Sequence, residues 1–146
     1  MSKMTLSQLY EIASDNNIDV DNFDTQTLES FSMPGIVVLN KNKLKTTIEE
    51  KMHLAHEIGH CQTGSFYRID TLETRERMEY RADRWAVKKL IPFSEFVSAI
   101  KRGITERWEL AEYFNVSEDY IDKAYLLYNS KIYELYNIDK TFTDYE

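Results

Sequence analysis

The chain has 146 residues, the size of one globular domain, and its 42% hydrophobic content, with ten Tyr and seven Phe, supplies a core. Its formal charge of -7, from 25 acidic and 18 basic residues, gives an average field that repels nucleic acid and acidic membrane surfaces. The apolar run 124–128 falls far short of the roughly 20 residues that cross a bilayer, the start MSKMTLSQLY lacks a secretion signal's apolar centre, and a lone Cys61 makes no internal disulfide, so a cytoplasmic protein is expected.

Leu6, Leu9, Tyr10 and Ala13 recur at helical spacing, and Asp15-Asn16-Asn17 stops that first helix. A polar, poorly patterned stretch leads to Met33-Pro34-Gly35 and then to Ile36-Val37-Val38-Leu39, a β-branched run closed by Asn40-Lys41-Asn42-Lys43. This predicts a strand and a turn. Residues 44–46 are a candidate returning strand, and the sheet is expected to hold no more than two or three strands. The strand Ile36–Leu39 is expected either to offer a free edge to an extended substrate or to be an ordinary core strand.

Thr47 with Glu50 reads as a capping box, and Gly64 falls where that helix would close. Further helices are predicted over 74–91, ended by Pro92; from the cap Ser94 to Gly103; over 105–114; and over 117–136. The expected fold is α+β and mainly helical, with a small antiparallel or mixed sheet beside the active-site helix. Within one domain, residues 1–92 are expected to form the catalytic core and 93–136 a C-terminal helical subdomain. The stretch 137–146 has little to bury and is expected to be a mobile tail.

His56-Glu57-Ile58-Gly59-His60 is an H-E-x-x-H pentapeptide on a predicted helix. Four-residue spacing puts two imidazoles on one face, about 6 Å apart along the axis, where both can reach one metal ion. Glu57 lies beside that face, placed to take a proton from a water on the metal. Catalytic zinc usually takes three protein ligands, so a third is needed. His53 shares the face but lies about 10 Å of rise from His60, too far to join it on one ion, and is read as a rim residue or one without a role. Glu79-Tyr80-Arg81-Ala82-Asp83 supplies the missing ligand: Glu79 would bind the metal, and Asp83 would accept the second ring N–H of a ligating histidine. Taken alone such a segment is usually a solvated face. Its weight comes from its place on the next long helix, with 18 residues between His60 and Glu79 to make the turn.

These segments resemble the ImmA/IrrE metallopeptidases, a family of mobile genetic elements and of bacterial stress regulators. Leu54-Ala55-His56-Glu57-Ile58-Gly59-His60 is similar to the family's first motif helix. Glu79-Tyr80-Arg81-Ala82-Asp83-Arg84-Trp85-Ala86, ending in Leu90-Ile91-Pro92, is similar to its second. The resemblance covers 35–92 well and the rest in outline, and departs at Arg81 and Lys88-Lys89, none of them a ligand. It implies a zincin-like core with gluzincin-like chemistry, zinc or else manganese as the metal, and cleavage of a cognate phage or mobile-element repressor of the helix-turn-helix kind.

Two other functions compete. The segment Leu110-Ala111-Glu112-Tyr113-Phe114-Asn115-Val116-Ser117, with Ile121 and Ala124, follows a helix-turn-helix pattern, but Glu118, Asp119 and Asp122 would oppose phosphates, so DNA binding is disfavoured. A catalytically silent, metal-containing regulator that acts by protein contact is the other. The oxyanion partner is left open among Tyr67, Tyr80, Tyr113 and Tyr125. Cys61 is expected to be a small buried hydrophobe, and Trp85 and Trp108 core or interface residues.

Overall fold

The computed structural model describes residues 3–66 and 72–137. Helix α1 (Leu6–Asp15) is followed by strands β1 (Asp19–Asn22), β2 (Ser30–Met33) and β3 (Ile36–Leu39), and then by helices α2 (Thr47–Thr63), α3 (Leu72–Leu90), α4 (Phe93–Lys101), α5 (Arg107–Phe114) and α6 (Glu118–Asn137). The fold is thus α+β and mainly helical, as the sequence predicts.

The sheet is mixed, in the order β1-β3-β2, with β1 parallel and β2 antiparallel to β3. Its centre is the Ile-Val-Val-Leu run, whose Val37, Val38 and Leu39 are buried. Apolar residues on successive positions suit a strand covered on both faces. This corrects the expectation of a substrate edge at Ile36, Val37, Val38 and Leu39: β3 is hydrogen-bonded on both sides and has no backbone to offer. The edges belong to β1 and β2, each of which pairs only with β3 among the described residues, and β2 is the one that borders α2. Pro34 and Gly35 join β2 to β3 as a two-residue turn, and Gly35 takes the left-handed φ of +78° that the turn requires. No strand forms over 44–46, because the Lys43 and Leu44 amides turn back to the Asn40 carbonyl and carry Leu44 into the core.

The cap of helix α2 lies one residue earlier than expected. Thr46, not Thr47, accepts from the Glu49 amide at 3.1 Å, and Glu49 in turn accepts from the Lys45 amide at 2.9 Å. Gly64, in the left-handed region, closes the helix as predicted. At α4 the expected cap Ser94 lies inside the helix, and Pro92 holds the N-cap position. Pro92 needs no backbone N–H there, and its ring fixes φ for the turn.

Two features set α2 in place. A Cβ on Gly59 would lie 2.6 Å from the Ala82 carbonyl oxygen, so the α2 and α3 backbones touch where both residues are small. The buried Lys51 side chain donates to the carbonyls of Phe114 and Asn115, at 3.3 and 3.1 Å, satisfying the C-terminus of α5. Burial, with the Lys3 charge second, pushes this ammonium down to about 8. One cluster of buried side chains runs from Leu9 and Val37 through Leu54 and Ile58 to Phe96, Phe114 and Tyr128.

Candidate metal centre

His56 and His60, one turn apart on α2, stand edge to face with ring centroids 4.8 Å apart. Glu79 reaches them from α3: its Oε2 lies 2.8 Å from His56 Nε2 and 3.0 Å from His60 Nε2. The close approach at Gly59 and Ala82 makes this reach possible, since Glu79 and Asp83 flank Ala82 on α3. His53 is not in the cluster. Its Nε2 faces Glu29 Oε2 at 3.1 Å, and its Nδ1 faces Ser30 Oγ at 2.8 Å.

The outward nitrogens have partners of their own. His56 Nδ1 lies 2.8 Å from Asp83 Oδ1, and His60 Nδ1 lies 2.6 Å from the Ser65 carbonyl oxygen. A carbonyl and a carboxylate can only accept, so each Nδ1 carries a hydrogen and each Nε2 is left to face Glu79, the position whose lone pair an incoming ion would take. Two imidazole nitrogens and a carboxylate oxygen, oriented in this way, could hold a divalent ion of the zinc type. The donor set fits.

The electrostatics agree with strong mutual attraction. Hydrogen bonds from His56 and His60 hold the Glu79 carboxyl well below the usual carboxylate range. Burial alone would lower His56, but its bonds to Asp83 and Glu79 override that and raise it to about 9. Asp83 is partly buried, which works against its charge, yet His56 and Lys123 keep its pKa below the ordinary value. Lys123, on α6, approaches Asp83 Oδ2 at 3.0 Å. Nothing in the sequence singled out this lysine.

Glu57 is buried, and both its oxygens are occupied. Ser30 Oγ donates to Oε2 and Ser32 Oγ to Oε1, each at 2.7 Å. A cavity of about 470 Å³ opens beside Glu57, His60 and Glu79, and its remaining wall includes Leu28, Phe31, Met33, Pro34 and Phe66. Across the triad a second hollow of about 390 Å³ is lined by Met52, His56, Asp83, Tyr120 and Lys123. The β2 strand, hidden in the sequence by its serines, therefore forms one bank of the site.

The remaining sequence candidates are dispersed. Tyr67 lies outside the described residues. Tyr80 is exposed, Tyr113 is bonded by Arg102, and Tyr125 stacks edge-on against Phe96; none of the three lines either cavity beside the triad. Tyr120, which the sequence did not bring forward, does. Its buried hydroxyl donates to the Met52 carbonyl at 3.4 Å, and burial, with the Asp83 and Glu57 charges, pushes the phenol far above its usual range. Cys61 is half-buried rather than buried, with Sγ 3.4 Å from the Met33 carbonyl oxygen. Trp85 packs partly against the core, whereas Trp108 is exposed.

No described helix is long and apolar enough to cross a membrane. No curated protein and no solved structure matches the chain. A family model, that of the IrrE N-terminal-like domain of peptidases, matches residues 9–125, a span that carries both motif helices, the sheet and the start of α6. The chain belongs to the peptidase family of the IrrE N-terminal-like domain.

Proposed function

We propose that this protein is a zinc-dependent endopeptidase that cuts one bond in a protein substrate, with His56, His60 and Glu79 as metal ligands and Glu57 as base. The observation that carries this is the convergence of His56 Nε2, His60 Nε2 and Glu79 Oε2 beside a buried carboxylate, in a chain of a peptidase family. An ion held there would act as a Lewis acid on a water and on the substrate carbonyl. Glu57 accepts the proton of the attacking water and passes it to the leaving nitrogen, so the acid and base steps share one carboxylate. Asp83 keeps the Nδ1 hydrogen on His56 and so fixes its ring. The open edge of β2 supports binding of an extended segment as an added strand, with Leu28, Phe31 and Met33 near at hand for its apolar side chains.

A transcriptional repressor of a phage or mobile element is the proposed substrate, on the family resemblance. Zinc is preferred to manganese because two of the three donors are imidazoles. The cytoplasm is the proposed compartment, on the use of a single cysteine, and residues 1–92 and 93–136 are proposed as catalytic and helical parts of one domain.

The test is Glu57→Gln. The variant should retain zinc and cleave its repressor at least about 100-fold more slowly, since a positioned base contributes on the order of 10² to 10⁴. Undiminished cleavage would remove Glu57 from the chemistry. A stable complex with the repressor and no cleavage by wild type would favour the silent regulator. Direct DNA binding has less support: the exposed Arg107, on α5, is bound by Glu118 and Asp122 of α6, which leaves acidic groups where a recognition helix needs cations.

A further inference from the structure

The family resemblance and the metal cluster say nothing of the two serines on β2, yet these are the groups that hold Glu57. Residues two apart on a strand point to one face, so Ser30 and Ser32 both face α2, while Ser30 pairs with Leu39 and Ser32 with Val37 in the ladder. Their hydroxyls reach different oxygens of one carboxylate, at 2.7 Å each. A carboxylate held at both oxygens cannot rotate about its terminal bond. Each oxygen still keeps a lone-pair site, because a carboxylate accepts about four hydrogen bonds in all.

Ser30 has a single hydroxyl hydrogen, which Glu57 takes, and its oxygen also lies 2.8 Å from His53 Nδ1. His53 and Glu57 are four apart on α2 and share a face, so the helix presents both ends of this bridge to the strand. Glu29, one residue before β2, meets the other ring nitrogen at 3.1 Å and steadies the imidazole. His53 thus gains a role that its distance from the metal cluster had denied it.

Resting on the reading of Glu57 as base, we propose that Ser30 and Ser32 are positioning residues that hold its carboxylate in the plane where one lone pair meets the water to be activated, with His53, seated between Ser30 and Glu29, as the support of the Ser30 side chain. The strand that would receive the substrate is then also the strand that aims the base. Substrate binding and base alignment act through the same four residues of β2.

The test uses the zinc-loaded full chain and acetohydroxamate, a chelator whose acidic proton passes to the carboxylate beside the metal, so that its affinity reads the placement of Glu57 without a substrate. Ser30→Ala and Ser32→Ala should each weaken acetohydroxamate about tenfold, the size of one lost hydrogen bond to a charged group, with zinc affinity unchanged. In a Glu57→Gln background the same substitutions should have no further effect. Ser30→Thr and Ser32→Thr keep the hydroxyl and should bind as wild type, which tests the idea even if the alanine variants fold poorly. Wild-type affinity in the alanine variants, an equal loss in the Glu57→Gln background, or a loss in the threonine variants would overturn it. A wild-type chain that takes up no zinc would instead overturn the peptidase reading itself, and this proposal with it.

Discussion

Each imidazole of the cluster is bonded at both ends, and that pairing makes the site sensitive to protons. In the metal-free chain His56 keeps its proton up to about pH 9, because Asp83 and Glu79 outweigh the burial that would strip it. A zinc ion needs the Nε2 lone pair and must displace that proton. Apparent zinc affinity should therefore rise with pH, roughly tenfold per unit, and flatten above about 9; Glu79, held far below the usual carboxylate range, adds no step of its own. Competition titrations between pH 6 and 10 would check this, and an affinity independent of pH would show that His56 carries no such proton. At the upper end of that range proton competition is removed and the contribution of Asp83 can be read directly. Asp83→Asn should there bind zinc about 10- to 100-fold more weakly, since the partner that orients the His56 ring is impaired.

At the scale of elements, the site depends on how closely α2 and α3 approach. Gly59→Ala would place a methyl group 2.6 Å from the Ala82 carbonyl oxygen, and that neighbour is backbone that cannot swing aside. The helices must part. Thermal unfolding should show a loss of about 1 to 3 kcal/mol, and zinc should bind more weakly because Glu79 is carried away with α3. Unchanged stability and zinc affinity would mean that the contact at Ala82 is not what brings Glu79 within reach. The sequence made these two helices legible, because helical periodicity, a left-handed Gly64 and the proline after 91 are local signals. It made β1 and β2 illegible. Asp19-Val20-Asp21-Asn22 and Ser30-Phe31-Ser32-Met33 hold few strand-forming residues, and they are strands because β3 lies between them and supplies their ladders. With β2 unseen, the sequence leaves the most apolar strand open as either a free edge or a core strand, and it is the one the sheet covers on both sides.

Over the whole molecule the same division holds between what is local and what is not. The ligand spacing His56-His60 and the pair Glu79-Asp83 are short-range patterns that a helix turns into one face, so the candidate cluster was readable before any contact was known. Ser30, Ser32 and Lys123 come from β2 and α6, far along the chain, and only the packed core brings them to α2 and α3. That core joins both halves of the chain, and Lys51 adds a polar tie from α2 to the end of α5. The most direct measurement is the zinc content of the wild-type chain beside Glu79→Ala, after chelation and reloading at one equivalent. One tightly held ion is expected in the wild type and loss of tight binding in the variant, with its helical content retained; equal zinc in both would place Glu79 outside the metal site.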